Sequence, residues 1–329
     1  MTRPPGRKAY SRLATGRRVP LEYELVSTDL HYNYPMRFEL PAANPVVAWY
    51  YRYREGSPLR ARDWEQFADP HRTTYHGYVQ SRDAREDVVD GLLREAAETS
   101  RLNDAWLIFL DRWYAPLRFP VHGLQMLAAY VGQMAPASRI TNCAAFQSAD
   151  ELRRVQRIAY RTVQLGCTGA AAQRAAWEDA EAFQPLRELL EQALTVYDWG
   201  EAFTVTNLVI KPRIDRLVNE EIGGALATAN DDSILTSIHF SLDEDARWHR
   251  AWSAALVRHL LDDTPANTEV IGGWIRKWTP LASRAVDALA GILGEAPVPL
   301  DASAAAARVS RDVSRETEAL LTVTPDGYF

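Results

Sequence analysis

The chain has 329 residues, 47% of them apolar, and carries 37 Lys and Arg against 43 Asp and Glu for a net charge of −6. That length holds one large or two medium domains around a sizeable core, and the mixed charge signs leave no basic patch of the kind nucleic acid or an anionic membrane attracts. No apolar run approaches a membrane span of roughly 18 residues, and the first residues lack the apolar stretch of a secretory signal, so the sequence predicts a soluble, cytoplasmic protein with neither nucleic acid nor membrane as partner.

Residues 1–20 are basic, bear Pro and Gly and show no periodicity, which reads as a tail. From residue 21 the chain turns aromatic, with Tyr23, Tyr32, Tyr34 and the run Trp49, Tyr50, Tyr51 and Tyr53, yet gives weak secondary-structure signals. Ten Trp and fourteen Tyr are many for this length, and aromatics with Arg are enriched at buried protein contacts. Ordinary core packing is the alternative, and composition leaves both open. Asp63 to Phe67 reads as a short capped helix ended by Asp69 and Pro70. We therefore expect residues 1–72 to form an irregular N-terminal arm lying along a surface, its own or a partner's.

Beyond it, helical spacing dominates. One run, 73–100, carries Tyr75, Tyr78, Val79, Val88, Val89, Leu92 and Leu93. A second, 103–134, is strongly apolar from Trp106 through Leu117 to Val131, with Pro116 and Pro120 expected to kink it. A third spans 147–166 and stops at Gly166 or Gly169. Further runs follow at 171–196, 198–227, 231–263, 267–295 and 302–322. No stretch alternates with period two, so the fold class is all-α, with residues 73–329 as the helical domain.

The third run carries Asp150, Glu151, Leu152, Arg153 and Arg154. Residues three apart share a helix face, so Glu-x-x-His would aim a carboxylate and an imidazole together; two such pairs, with a Glu from each of two other helices, make a di-metal centre. Here Arg154 takes the place of the His, and a guanidinium cannot ligate a cation. Asp245, Ala246, Arg247, Trp248 and His249 repeat the outline with the opposite loss, keeping the His and placing Ala246 where the Glu belongs. Two helix pairs with this echo predict an internal duplication of a helical hairpin.

The seven histidines are preceded three residues earlier by Thr28, Ala68, Thr73, Phe119, Thr236, Ala246 and Leu256, none of them acidic. Cys143 and Cys167 are too few for a disulfide framework or a zinc site and read as small apolar residues.

Asp150 to Arg154 followed by Gln156 resembles the Asp-Glu-Ile-Arg-His motif in the catalytic α subunit of bacterial multicomponent monooxygenases, with its His lost. Glu22–Tyr32, Gly56–Leu59, Ile140–Cys143 and Asp198–Thr204 resemble stretches of the β subunit of those hydroxylases, in the toluene/alkene/isoprene branch. The resemblance runs from about residue 10 to about residue 290.

It implies a ferritin-like, ribonucleotide reductase-like bundle within a hexamer of two α, two β and two γ subunits. It also implies a di-iron centre held by the partner α subunit alone, with a regulatory protein, a ferredoxin and a reductase acting on the complex. Matched residue by residue, the first helix Glu of the α motif falls at or beside His122, and Glu151 matches the second Glu. Arg154 stands for the following His, and Lys211, within about one residue, for the Glu of the next helix. Ala246 and His249, or in another register Glu244 and Arg247, match the last pair. Catalytic, cofactor-binding and metal-ligating residues are accordingly expected to be none in this chain.

By spacing alone Glu151 and Arg154 form a solvated helix-surface pair; the resemblance implies a buried pair replacing the charge of a lost cation. His122 and His249 are expected as satisfied buried histidines. The helices from Trp106 to Met134 are expected to help form the interface of the hexamer. The implied role is a non-catalytic structural subunit of a di-iron hydroxylase that uses O₂ and NADH-derived electrons on a hydrocarbon. The rivals are an independent ferritin-like di-metal oxidase and a helical scaffold unrelated to oxygenases.

Overall fold

The computed structural model describes residues 21–24, 26–27, 44–96 and 102–322. The described residues contain helices and no strand. Two short helices, α1 (Glu22–Glu24) and α2 (Pro45–Tyr50), precede α3 (Tyr75–Ala96) and α4 (Asp104–Phe109). From α4 the chain continues through a π-helical segment (Leu110–Tyr114) and a 3₁₀ turn (Ala115–Leu117) into α5 (Arg118–Met134). Pro116 and Pro120, which cannot donate backbone hydrogen bonds, sit where the helix changes its winding.

Then come α6 (Ser138–Gln164), α7 (Ala170–Asp179) and α8 (Gln184–Ala193). A continuous helical run from Trp199 to Ala229 follows, made of α9 (Trp199–Thr204), a π-helical segment, α10 (Lys211–Asp215), a second π-helical segment and α11 (Ala227–Ala229). The chain closes with α12 (Ser233–Asp263), α13 (Asn267–Ala290) and α14 (Ala302–Leu321).

Side chains mark the helix starts. Asn103, Asp198, Asp232 and Asp301 each accept a hydrogen bond from a first-turn amide, satisfying donors that the helix cannot. Gly166, at φ 69°, ends α6 in a left-handed conformation that glycine adopts without steric cost.

The bundle is two antiparallel pairs, α5 with α6 and the 199–229 run with α12. One apolar cluster gathers Trp106, Leu117, Leu124, Phe183, Leu186 and Val286; a second gathers Leu59, Phe67, Trp199, Phe203, Trp252 and Leu256. At one point the two members of the second pair almost touch. A Cβ on Gly223 would lie 2.1 Å from Cγ of His239, so only glycine admits that approach.

Two expectations meet the structure differently. Trp106, Phe109, Leu110, Trp113 and Leu117, expected near an interface, are buried in the chain's own core. Ile108 and Met126 are large apolar side chains that this segment turns outward. Of the 1–72 arm, residues 1–20, 25 and 28–43 lie outside the described residues. Residues 44–72 lie along this chain's own helices: Ser57 donates to Asp198 at 3.0 Å, Trp64 packs edge-on against Trp199, and Arg139 of α6 donates to the Glu65 carbonyl at 2.9 Å.

Candidate functional site

The inward stripe of α6 delivers Gln147, Asp150, Glu151, Arg154 and Ile158 to the bundle centre, because positions three and four apart share a face. The 199–229 run delivers Asn207, Lys211 and Asp215 by the same spacing, and α12 delivers Asp245, Ala246, His249 and Ser253. These elements stack polar side chains in layers between the apolar clusters.

In the middle layer, Asp215 is 0% exposed, Glu151 1%, Lys211 3% and Arg154 3%. Lys211 Nζ donates to Glu151 and lies 2.9 Å from Asp215 Oδ2. Arg154 Nη1 donates to Asp215 Oδ1 at 2.7 Å and lies 3.7 Å from Glu151 Oε2. An ammonium and a guanidinium group therefore stand between two fully buried carboxylates. Burial would raise the Asp215 pKa, but the adjacent Lys211 and Arg154 outweigh it and hold the carboxyl at about 2. The group stays ionised although water is excluded, and it does so because the ion pairs replace the lost hydration.

Beside this quartet, Asp150 accepts from Tyr78 Oη at 2.9 Å, from Arg82 Nε and Nη2 at 2.7 Å each, and from His249 Nε2 at 3.0 Å. The two-pronged Arg82 contact and the histidine overcome the burial of this carboxyl and lower its pKa. Burial, aided by the charge of Lys211, lowers the His249 pKa. Its imidazole is then neutral at neutral pH, with the Nε2 proton directed to Asp150. Asp245 pairs with Arg85 Nη1 at 2.6 Å and with Arg153 and Arg82, while Glu86 pairs with Arg153 and Arg157.

Flanking layers are neutral. Gln147 donates to Asn207 Oδ1 at 3.1 Å, Asn207 to Ser253 at 2.8 Å and Trp252 to Gln147 at 3.1 Å. On the other side His239 lies 3.0 Å from both Asn219 Oδ1 and the Tyr114 hydroxyl.

A di-metal centre of this bundle type needs four carboxylates and two imidazoles with free lone pairs. The donor set here does not fit one. His249 is the single imidazole in the charged layer: its Nε2 donates to Asp150 and its buried Nδ1 has no hydrogen-bond partner, so this histidine is buried as expected but only half satisfied, and it leaves one imidazole lone pair where two histidines would be needed. Ammonium and guanidinium groups occupy the faces of Glu151 and Asp215 that a cation would need. The charges also close: Arg82, Arg85, Arg153, Arg154, Arg157 and Lys211 face Asp150, Glu151, Asp215, Asp245, Glu86 and Asp90. No group of three or more His, Cys, Asp or Glu among the described residues is arranged to hold a metal ion.

Set against the sequence, the buried reading of Glu151 and Arg154 fits this geometry and the solvated-surface reading does not. The partners, however, differ from expectation. Arg154 bonds to Asp215, which spacing alone did not single out, and Lys211 rather than Arg154 is the close partner of Glu151. Of the two registers, Ala246 and His249 face the centre, whereas Arg247 is exposed and pairs with Glu244 at 2.8 Å on the outside.

His122 is a correction: it is exposed on α5 rather than buried, and the buried positions beside it are Val121 and Gly123. Helix α5 adds no charged side chain to the cluster, since its buried residues are all apolar or glycine. Sequence reading also missed Tyr78, Arg82 and Arg85, although their spacing places them on one face of α3. Cys143 is buried, as expected of a small apolar residue, while Cys167 is half-buried with its thiol pushed up to about 11 by burial.

A family profile described as Methane/Phenol/Alkene Hydroxylase matches residues 49–264. The hydroxylase component β subunit of the toluene-4-monooxygenase system of Ectopseudomonas mendocina is 41% identical over 303 residues, 89% of this chain and 92% of that protein. The hydroxylase component small subunit of propane 2-monooxygenase from Gordonia sp. (strain TY-5) is 24% identical over 74% of this chain and 71% of its own length. Among solved structures, a chain of toluene 4-monooxygenase with toluene bound in its resting active site superposes with a TM-score of 0.78 at 41% identity, covering 83% of this chain and 94% of that one. A chain of phenol hydroxylase from Pseudomonas sp. OX1 shares the fold, with a TM-score of 0.80 at 23% identity over 95% of this chain and 96% of that one. With two thirds of its length matched by the family profile and a relative of 41% identity spanning most of both chains, this chain belongs to the methane/phenol/alkene hydroxylase family.

Proposed function

We propose that the chain is the non-catalytic, structural β subunit of a di-iron hydroxylase, the component of a multicomponent monooxygenase that hydroxylates or epoxidises hydrocarbons with O₂ and NADH-derived electrons. The observation that carries this reading is the charged centre, where Lys211 and Arg154 stand in the space between Glu151 and Asp215. A bundle that had lost its metal would be left with buried carboxylates repelling one another, and these two cations answer that charge.

The di-iron centre then belongs to a partner α subunit, in a hexamer with γ and a second copy of each chain. The regulatory protein, ferredoxin and reductase act on that assembly in the cytoplasm. The named relatives, hydroxylase component subunits of the toluene-4- and propane 2-monooxygenases, support the hydrocarbon class, and the 41% identical one favours an aromatic substrate. Against an independent di-metal oxidase stands the donor set; against an unrelated scaffold, the family.

Restoring one ligand tests the reading. Arg154→His recreates Glu-x-x-His, yet Lys211 and Ala246 still occupy ligand positions. Iron analysis of the purified chain, wild type and Arg154→His, is expected to find less than about 0.1 equivalent in each, since a lone Glu–His pair supplies too few ligands for a stable site. One equivalent or more in the wild-type chain would overturn it.

A further inference from the structure

The loop that enters α3 and the outer side of α12 enclose a cavity of about 590 Å³ beside the charged cluster. Four guanidinium groups line it: Arg72 from the loop, Arg82 and Arg85 from α3, and Arg247 from α12. One carboxylate shares the wall, that of Glu244, and Arg247 already holds it at 2.8 Å. The buried acids are not among the lining residues. Asp150 engages Nε and Nη2 of Arg82, and Asp245 engages Nη1 of Arg85, so each guanidinium keeps donors that these carboxylates do not use. Nη1 of Arg82 lies 3.5 Å from the hydroxyl of Ser81, itself part of the wall. The Arg72 side chain makes no ion pair among the described residues.

The remaining polar groups of the wall add to the same sign. Thr74 Oγ1 accepts from the Gly77 amide at 3.2 Å, which leaves the hydroxyl proton free to donate. It stands at the start of α3, a helix of 22 residues whose positive dipole end is thereby turned to the cavity. Trp248 Nε1 is buried without a hydrogen-bond partner, and a buried donor in that condition marks a place for an acceptor. Burial, and after it the positive charges of Arg82 and Arg153, lower the pKa of Arg85, as a surplus of positive potential does.

Convergent N–H and O–H donors around a recess, with the one lining carboxylate spent, form an anion site. A long polyanion such as nucleic acid does not suit a small recess in a chain of net charge −6. We infer that this cavity binds a small phosphate-type oxyanion, held by Arg72, Arg85 and the Trp248 N–H at the start of α3. The Tyr78 and Trp248 rings and Ala251 give the cavity an apolar side as well, so the anion can arrive free or carried on a small organic ester.

Calorimetric titration of the full chain, alone and with its hydroxylase partners, tests the site with two probes, inorganic phosphate and phenyl phosphate, against a chloride background of constant ionic strength. Saturable binding of one equivalent per chain is expected. Trp248→Phe keeps an aromatic ring and removes the N–H, and Arg72→Glu reverses a charge on the rim. Each is expected to weaken binding at least about tenfold, the effect of losing one hydrogen bond to a charged group. Arg311→Glu makes the same charge change on the exposed side of α14 and is expected to bind as wild type does. Unchanged circular dichroism and melting of the variants would show that they still fold. Phenyl phosphate binding at least about tenfold more tightly than inorganic phosphate would identify an ester as the ligand, and equal affinities the free ion; both outcomes support the site. No saturable binding by the wild-type chain would overturn it, as would wild-type affinity in both Trp248→Phe and Arg72→Glu, or an equal loss in Arg311→Glu.

Discussion

Lys211→Met is expected to destabilise this chain by about 3–5 kcal/mol, the usual cost of removing one partner from a buried ion pair. The ammonium group touches two carboxylates at once, Glu151 and Asp215, and both are essentially sealed from water. Without it, only Arg154 remains for two buried negative charges, and its distance to Glu151 is 3.7 Å. Methionine fills much of the same volume, so the loss reports charge rather than a cavity. Denaturant unfolding of hydroxylase carrying the variant gives the number, read as a lower midpoint at unchanged slope. Lys211→Met combined with Glu151→Gln is expected to recover part of the loss, because the orphaned carboxylate is then gone. A single variant within about 0.5 kcal/mol of wild type would mean that the quartet contributes no more than an exposed ion pair.

The second large effect is a fall in stability on mild acidification. His239 is completely buried, and burial, reinforced by the positive charge of Arg154, pushes its pKa down to about 3. Between about pH 6.5, where an unfolded histidine titrates, and pH 3, the unfolded chain binds a proton that the folded chain refuses. The stabilising contribution of neutral His239 is therefore complete above pH 6.5 and is lost as the pH falls toward 3. In that window each such histidine contributes a slope of about 1.4 kcal/mol per pH unit. His249, also lowered, adds in the same direction. The carboxylates act further down: Asp215, at about 2 in the folded chain, contributes stability that is present above about pH 4 and lost as the pH falls through 2. Unfolding free energies measured from pH 7 to pH 4 for wild type and His239→Gln separate these groups. The variant is expected to lose about 1.4 kcal/mol per pH unit of slope, whatever it does to overall stability. An unchanged slope would show that His239 is protonated in the fold.

Much of this architecture is written in local patterns. The starts of α4, α9, α12 and α14 follow from Asn103, Asp198, Asp232 and Asp301, and the end of α6 from Gly166. The start of α6 was not legible: it begins at Ser138, nine residues before the expected 147, and Ile140 and Cys143 already face the core.

At the centre, the i,i+3 pair Glu151 and Arg154 and the echo at Ala246 and His249 were visible because they lie within single helices. Asp215 was not, since its partner Arg154 is sixty-one residues away in sequence and only the packing of two helices joins them. Arg82 and Arg85 were obscure for the same reason: on α3 alone they look like solvated charges, and only the approach of α6 and α12 makes them counter-ions. His122 failed oppositely, because α5 turns that position outward and offers the centre apolar residues alone.

Ion pairs occupy the centre of this bundle, where a di-metal site would need free lone pairs. Diffraction from crystals of the assembled hydroxylase, collected at the iron absorption edge, is expected to show anomalous peaks in the partner subunit and none among Glu151, Arg154, Lys211, Asp215 and His249. An iron peak within coordination distance of Glu151 and His249 would contradict that expectation.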